Sequence, residues 1–430
     1  MKMRKFDESM RYLERAERVI PLGSQTFSKS RTQYPYGVSP YFITRAEGSR
    51  VWDLDGNEYI DFVSGLASIT LGYNDPDVTS AVTEQLKSGV IFSLPHPLET
   101  EVAELICDMV PCAEMVRFGK NGSDATSGAV RIARAFTGRD RVAVCGYHGW
   151  QDWYIGSTAR HQGVPKAVRD LTHAFTYNNL ASLARLFDQY PGEFAAVMIE
   201  PMNVAAPAPG FLENVKTLAH EHGALLVFDE TITGFRFSNG GAQELFGVIP
   251  DLATFGKGLA NGYPVSAVAG RRDVMKLMED VFFSFTFGGE TLSLAAAKAT
   301  LTKLREEPVV QTLQMRGEVI MAGTTQVIND FGLADIFSVS GHSTWSFLNI
   351  RDARGATSFE IKTLWMQEML QRGFLALGTH NVNYAHTTAD VQALIAAYAE
   401  VLPMIGECLD QNGLAAALRC KPLVPLFKVR

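Results

Sequence analysis

The sequence has few of the features that mark metal proteins or membrane proteins. Its five cysteines are odd in number and fit no metal-ligand spacing, so we expect reduced thiols and no bound metal. No window reaches the roughly 20 apolar residues of a membrane span, and the N-terminus lacks the apolar core of a signal peptide. These absences predict a cytoplasmic protein with no membrane partner.

Concentrated positive charge is also missing from the chain. The formal net charge is −7 and the pI is near 5.8, which argues against a nucleic-acid partner. No G-x-G-x-x-G motif lies between a strand and a helix, so the sequence does not indicate the dinucleotide site of a nicotinamide dehydrogenase.

The composition is that of a globular enzyme, and the pattern from about residue 100 to 300 indicates its fold class. The 430 residues are 47% hydrophobic and 20% charged, enough for two or three domains. Helical stretches alternate with short apolar runs at 141–145, 195–200, 224–230 and 266–270. Apolar runs without alternation are typical of strands buried on both faces, so this region predicts a parallel or mixed α/β sheet.

The flanking regions have a different pattern. Residues 7–20 predict an amphipathic helix, and the turn sequence D-L-D-G-N within 50–63 predicts a hairpin. After about 310, helical patterns resume around a predicted strand pair at 345–350 and 374–378. This part of the chain predicts a smaller α+β domain.

An aspartate and a lysine stand 28 positions apart in the central region. Asp229 closes an apolar run, and Lys257 lies between two glycines. Pyridoxal phosphate (PLP) needs a lysine amine to hold its aldehyde as a Schiff base and a carboxylate against its ring nitrogen. These two residues can supply both. Taken alone, the lysine is also typical of a solvated loop and the aspartate of a helix cap.

Eight short motifs stand in order along nearly the whole chain. They are V-W-D-L-D-G-N-E-Y-I-D-F (51–62), L-G-Y-N-D-P (71–76), N-G-S-D-A (121–125), G-Y-H-G (146–149), I-E-P-M (199–202), F-D-E-T-I-T-G-F-R (228–236), P-D-L-A-T-F-G-K-G-L (250–259) and F-T-F-G-G-E (285–290). Together they resemble the class III aminotransferases of PLP fold type I, and most closely the branch that contains glutamate-1-semialdehyde aminomutase.

The resemblance implies an α/β architecture and an activity. The large domain, 61–310, would hold PLP on a mostly parallel seven-stranded sheet, and 311–430 would form the small α+β domain. Residues 1–60 would be an N-terminal segment that joins the small domain. The implied activity is transfer of an amino group from an amino donor to a carbonyl acceptor; the alternative is an intramolecular amino shift by a glutamate-1-semialdehyde 2,1-aminomutase.

The resemblance also implies roles for individual residues around the cofactor ring. Lys257 would form the Schiff base, and Asp229 would pair with the ring nitrogen. Tyr147 would stack on the ring, and Glu200 would hold neighbouring groups in place. His148 is at least as typical of a structural histidine as of a site residue.

Two further motifs concern the cofactor phosphate. Gly122 and Ser123 precede a helical pattern whose N-terminus could bind an anion through free N–H groups, although a plain N-cap explains the pattern equally well. The resemblance implies that Thr286 reaches the phosphate of the neighbouring subunit's cofactor, and hence a homodimer with sites at its interface. Asn121 replaces a serine of the family, and residues 288–291 depart from its usual S-G-N-P.

The substrate pocket is where the chain departs most from the family. Arg31 or Lys29 could hold a substrate carboxylate, although a plain surface charge explains each equally well. Trp150 is bulkier than the usual residue, and Leu66 stands where the aminomutase has a tryptophan. Thr231 occupies a place where the branch usually has a valine packed on the ring. These departures favour a transaminase over the aminomutase.

Overall fold

The structure, a computed structural model, describes residues 3–425 and divides the chain into two compact units. The sheet unit comprises Ala67–Thr70 and Pro76–Val310. The terminal unit comprises Leu71–Asp75 and the described parts of Met1–Leu66 and Gln311–Leu426. The domain boundaries drawn from the sequence stay predictions, and residues 1–2 and 426–430 within them lie outside the described residues.

The described chain contains strands and helices that are each numbered in chain order. The strands are β1 (Ile43–Glu47), β2 (Arg50–Asp53), β3 (Glu58–Asp61), β4 (Met115–Gly119), β5 (Arg141–Cys145), β6 (Thr172–Ala174), β7 (Phe194–Ile199), β8 (Leu225–Asp229), β9 (Leu252–Phe255), β10 (Ser266–Gly270), β11 (Phe337–His342), β12 (Trp345–Ile350), β13 (Phe374–Leu375) and β14 (Thr379–Asn381). The helices are α1 (Asp7–Glu17), α2 (Ser64–Ala67), α3 (Pro76–Ser88), α4 (Pro97–Met109), α5 (Gly122–Thr137), α6 (Asp152–Ile155), α7 (Lys166–Arg169), α8 (Leu180–Gln189), α9 (Phe211–Glu221), α10 (Ala242–Phe246), α11 (Arg272–Met275), α12 (Thr291–Glu306), α13 (Val309–Asp330), α14 (Ser358–Gln371), α15 (Thr388–Asp410) and α16 (Leu414–Ala417), with 3-10 turns at Pro21–Gly23, Phe27–Lys29, Lys257–Ala260 and Lys276–Glu279.

The sheet unit is built on seven strands in the order β4-β10-β9-β8-β7-β5-β6. Strands β5 to β9 are mutually parallel, and β10 runs antiparallel to both β9 and β4. The predicted mostly parallel seven-stranded sheet is therefore confirmed, as is the small α+β region, although the run at 266–270 is the antiparallel strand.

Both faces of the central strands are buried, which explains their continuous apolar runs. Every residue of β7 and β8 is buried. Ala196 and Met198 pack in one core cluster with residues of α5, whereas Val197 and Ile199 pack in a second cluster with residues of α8 and α9. Successive strand residues point to opposite faces, so neither face of β7 can carry polar side chains.

The register of the central strands aligns their carboxyl ends at one edge. Cys145 of β5 pairs with Ile199 of β7, Ile199 pairs with Phe228 of β8, and Asp229 pairs with Thr254 of β9. Residues that follow these strands therefore meet at the edge where ligands of open α/β sheets bind.

The terminal unit contains the sheets β1-β2-β3-β13 and β11-β12-β14. The predicted hairpin in 50–63 is confirmed as β2 and β3, and the predicted strand at 345–350 is β12. The predicted pairing of 345–350 with 374–378 is wrong. Phe374–Leu375 pairs in parallel with β3, and β12 instead pairs with β14, which begins after Gly378 turns the chain at φ +90°.

Helix α2 is a single left-handed turn, with φ between +45° and +66° at all of Ser64–Ala67. This conformation costs roughly 1–2 kcal/mol for each non-glycine residue. The hydroxyl of Ser64 donates to the carbonyl of Asn381 (2.7 Å) and accepts from the amide of Asn383 (3.1 Å). Strained backbone of this kind persists where surrounding contacts hold it and is enriched at functional sites.

Among the described helices, α15 alone has the length and hydropathy of a candidate membrane span. Val391, Leu394, Val401 and others on α15 are buried within the terminal unit. The capping residue Thr387 precedes the helix. These contacts are typical of a core helix, and core helices can have the same length and hydropathy as a membrane span.

Candidate active site

The centre of the candidate site is Asp229, a buried carboxylate at the carboxyl end of β8. Its Oδ2 accepts a hydrogen bond from Nδ1 of His148 (2.8 Å). Its Oδ1 accepts bonds from the N–H (3.1 Å) and hydroxyl (2.6 Å) of Thr231 and from the hydroxyl of Thr254 (3.2 Å). Burial alone would raise the pKa of Asp229, but the hydrogen bonds from His148 and Thr231 lower it by more. The pKa of Asp229 therefore lies below its usual value.

His148 is fully buried beside this carboxylate. Because a carboxylate only accepts, Nδ1 of His148 carries the hydrogen of the shared bond. The ring stacks against Trp153 (centroids 6.4 Å apart, 15° between planes) and meets the edge of Tyr154 at 5.2 Å. Its Nε2 has no hydrogen-bond partner within residues 3–425. Packing therefore fixes His148 as a donor to Asp229.

Tyr147 and Glu200 follow the neighbouring strands β5 and β7. The N–H of Tyr147 donates to Oε2 of Glu200 (2.9 Å), and the amide of Asn203 donates to both carboxylate oxygens (3.1 and 3.2 Å). Gly146 has φ +123°, and a Cβ there would lie 2.5 Å from Glu200 Oε2. Burial and the carboxylates of Asp229 and Glu200 raise the pKa of Tyr147, whose ring is 42% exposed.

Residues 120–123 connect β4 to helix α5, and we call them the phosphate turn after the role predicted for Gly122 and Ser123. Oδ2 of Asp124 accepts the N–H groups of Lys120 (3.1 Å) and Asn121 (2.7 Å), which closes the turn at the start of the helix. The first N–H groups of a helix have no intrahelical partner and face outward with the positive end of its dipole. Gly122 and Ser123 carry those groups in α5. This turn has the chemistry of an anion site.

Three predicted site segments meet at Thr231. A Cβ on Gly122 would lie 3.0 Å from its methyl carbon Cγ2, and a Cβ on Gly256 would lie 3.3 Å from that atom. A side chain at either glycine would be tightly packed against Thr231, so the two glycines ease the close approach of the helix N-terminus and of the residue before Lys257. The hydroxyl of Thr231 donates to Asp229, and its methyl group faces Gly122 and Gly256.

Lys257 is half-buried and begins a 3-10 turn directly after β9 and Gly256. Its φ of +37° is unusual for a residue with a side chain, and such strain is concentrated at functional sites. Thr254, three residues earlier, donates to Asp229. The structure thus brings Lys257 to the edge that carries Asp229, Gly122, Tyr147 and Glu200.

The remaining predicted residues lie in exposed segments. Thr286 lies in a turn, residues 285–290, which we call the Thr286 turn. Thr286 itself forms no hydrogen bond with the described residues. Trp150 is 64% exposed, and its N–H donates to the hydroxyl of Ser123 (3.3 Å). Lys29 and Arg31 belong to the terminal unit, where Lys29 is exposed and Arg31 forms an ion pair with Glu17 of α1.

Sequence reasoning missed two contacts. It left His148 undecided, although its place after Tyr147 at a strand end was a signal. It also gave no role to Glu290, which caps helix α12 and forms an ion pair with Lys120 (3.0 Å). Neither partner could be inferred from local sequence, because each contact joins segments far apart in the chain.

Comparison with known proteins assigns the family. Residues 33–336 match the family model described as aminotransferase class-III. The chain belongs to the class III aminotransferases. Enzymes of this family depend on PLP and use an amino donor and a carbonyl acceptor, so the predicted family, cofactor and general activity are confirmed.

Several characterised relatives are similar over nearly their whole length. The 3-aminobutyryl-CoA aminotransferase of Cloacimonas acidaminovorans is 32% identical, and the match covers 94% of this chain and 99% of the relative. A glutamate-1-semialdehyde 2,1-aminomutase of Desulforamulus reducens is 35% identical, covering 91% and 96%. The solved FumI protein of Sphingopyxis sp. MTA144, in its PLP internal aldimine form, is 30% identical with a TM-score of 0.88, covering 96% and 100%.

The residues of this edge fit PLP. A buried carboxylate with a lowered pKa suits a protonated ring nitrogen, and a helix N-terminus suits a phosphate. A half-buried lysine completes the set. The ring nitrogen, the phosphate and the aldehyde of the cofactor would therefore each have a chemically matched group at the same edge of the sheet.

The donor role of His148 makes a testable prediction. His148→Phe should lower the free energy of unfolding of the apoenzyme by about 1.5–3 kcal/mol near neutral pH, because buried Asp229 loses a donor to a charged group. The pKa of Asp229 is lower in the folded state than its value of about 3.9 in the unfolded state, so the ionised carboxylate stabilises the folded wild type above about pH 3.9. This stabilisation is lost as the pH falls from the unfolded pKa through the folded pKa. The difference in unfolding free energy between variant and wild type should therefore narrow only as the pH falls below about 4.

Urea unfolding across this pH range measures the effect. His148→Asn is the matched control, since its amide can still donate to Asp229, and it should retain more stability than the phenylalanine variant. Equal urea midpoints for wild type and His148→Phe at neutral pH would show that the bond contributes nothing.

Proposed function

We propose that the enzyme is a transaminase in which Lys257 and Asp229 act directly on PLP. The observation that carries the proposal is the ionised, buried carboxylate of Asp229 at the edge where Lys257 begins its strained turn. PLP supplies an electron sink that lets an amino group leave a donor and pass to a carbonyl acceptor. The chain's own residues position that cofactor and move protons.

Each residue has a defined task in this proposal. The amine of Lys257 would hold the cofactor through its aldehyde carbon and, once released by the donor, would take a proton from the donor carbon that bears the amino group. Asp229 would accept the N–H of the ring and keep that nitrogen protonated. Tyr147 would cover one face of the ring and the methyl of Thr231 would pack on it, while Glu200 accepts the backbone N–H of Tyr147 and so holds that backbone in place.

The phosphate has two sources of donors in this proposal. The N–H groups of Gly122 and Ser123 bind it at the start of α5, and Thr286 of the second subunit adds a hydroxyl. A homodimer is supported by the exposed aromatic residues around the Thr286 turn, since Phe282 is 79% and Phe287 58% exposed. Large apolar side chains clustered at a surface mark interaction sites.

We also propose residues that contact the substrate. A contact with Trp150 is supported by the hydrogen bond from its backbone N–H to Ser123 of the phosphate turn. Arg31 or Lys29 would hold a carboxylate. The relatives named aminomutases keep an intramolecular amino shift as the second candidate function. A cytoplasmic location is supported by the five cysteines, none of which pairs in a disulfide among the described residues.

Incubation with amino donors tests the activity. With a suitable donor and no acceptor, the enzyme should release about one keto acid per site and lose the cofactor's aldehyde absorbance. Lys257→Ala should release none, because no amine is left to move the proton. Lys298→Ala, on an exposed ion pair of α12, is the control and should behave as wild type.

Two results would contradict this proposal. Keto acid release by Lys257→Ala at the wild-type rate would show that the lysine is wrongly assigned. Turnover of glutamate-1-semialdehyde, with no keto acid from any donor in a broad panel, would assign the aminomutase reaction instead.

Mixed dimers test the proposed shared site. A Lys257→Ala chain paired with a Thr286→Ala chain should have one site with both changes and one with neither. Half of the sites in the mixed dimer should therefore keep wild-type PLP affinity. Both sites of a Thr286→Ala homodimer should bind PLP more weakly, because each loses a hydrogen bond to a charged group that is worth about 1.5–3 kcal/mol. PLP binding by reconstitution measures this. A fully active monomer, or impairment of every site in the mixed dimer, would refute the arrangement.

A further inference from the structure

Lys120 and Glu290 form an ion pair that joins two segments distant in sequence. Nζ of Lys120 lies 3.0 Å from Oε2 of Glu290 and 3.3 Å from the hydroxyl of Ser293. Both charged side chains are only 15% exposed. By contrast, Lys298 of helix α12 pairs with Glu101 of helix α4, and these side chains are 47% and 43% exposed. Loss of one member of a mostly buried pair leaves the other charge without compensation.

Glu290 is also the N-cap residue of helix α12. Its Oε1 accepts the N–H of Leu292 (2.7 Å), and its Oε2 accepts the N–H of Ser293 (3.2 Å). Burial alone would raise the pKa of Glu290, but the Ser293 hydroxyl and the Lys120 ammonium lower it by more. The pKa of Glu290 therefore lies below its usual value. The carboxylate is therefore held ionised between an ammonium group and the positive end of a helix of 16 residues.

Each end of this ion pair borders a turn to which we assign a phosphate contact. Lys120 precedes Gly122 by two residues and belongs to the phosphate turn. Glu290 closes the Thr286 turn, because its N–H donates to the carbonyl of Phe287 (3.2 Å). In a shared site, the first turn would face the chain's own cofactor and the second the cofactor of the other subunit.

We propose that Lys120 and Glu290 are positioning residues that hold these two turns in a fixed relation, so that one ion pair supports PLP retention at both sites of the dimer. The inference rests on the proposed phosphate contacts of Gly122, Ser123 and Thr286. Neither charged residue touches the cofactor in this account. They act through the backbone of the turns.

Rates of PLP release from the holoenzyme test the inference. Lys120→Met and Glu290→Gln should each release PLP about tenfold faster than wild type, as expected for loss of a hydrogen-bonded charge pair. The double variant should be no worse than either single variant, because it leaves no unpaired charge. Lys120→Arg should restore slow release, and Lys298→Met should release PLP at the wild-type rate.

Mixed dimers give the distinguishing readout. One chain carrying Lys120→Met and Glu290→Gln, paired with a wild-type chain, should release PLP rapidly from both sites. One Thr286→Ala chain paired with a wild-type chain should give two phases of equal amplitude, only one of them fast. A two-phase release from the Lys120/Glu290 dimer would overturn the inference, since the ion pair would then serve one site only.

A purely structural role predicts a different pattern. If the pair only caps helix α12, the melting temperatures of apoenzyme and holoenzyme should fall equally and PLP release should stay at the wild-type rate, which would overturn the inference. Failure of the proposed function is separately visible: a single phase at the wild-type rate from the Thr286→Ala mixed dimer would remove the shared site itself.

Discussion

The site depends on keeping the carboxylate of Asp229 ionised inside the protein. Burial alone favours the neutral acid, and a buried charge without partners is costly. The hydrogen bonds from His148 and Thr231 reverse that preference, so that the pKa falls below its usual value. A fourth bond comes from the hydroxyl of Thr254. A carboxylate prepared in this way can hold a ring nitrogen in its protonated form, which is the requirement of PLP chemistry.

The sheet brings this carboxylate and its partners together. Parallel strands β5, β7, β8 and β9 end at one edge, so Tyr147, Glu200, Asp229 and Lys257 converge although they are widely spaced in sequence. The start of α5 at that edge adds the N–H groups of an anion site. Both faces of the central strands are packed, which holds the carboxyl ends of these strands in place.

Local sequence was sufficient for the parts of the fold that obey local rules. Continuous apolar runs predicted the buried strands, and the spacing of Asp229 and Lys257 predicted the cofactor. The bond from His148 to Asp229 spans 81 residues and the pair Lys120–Glu290 spans 170, so no local pattern could show either. The strand at 374–375 was assigned the wrong neighbour because pairing depends on the turn at Gly378.

The protonation state of the cofactor's ring nitrogen tests the central claim most directly. The enzyme reconstituted with PLP labelled with ¹⁵N in its ring should show, by NMR, the chemical shift of a protonated pyridine nitrogen. Asp229→Asn should keep PLP bound but show the shift of an unprotonated nitrogen, because the amide carries no charge to stabilise the N–H. The same protonated shift in both proteins would contradict the account, since Asp229 would then not set the state of the ring.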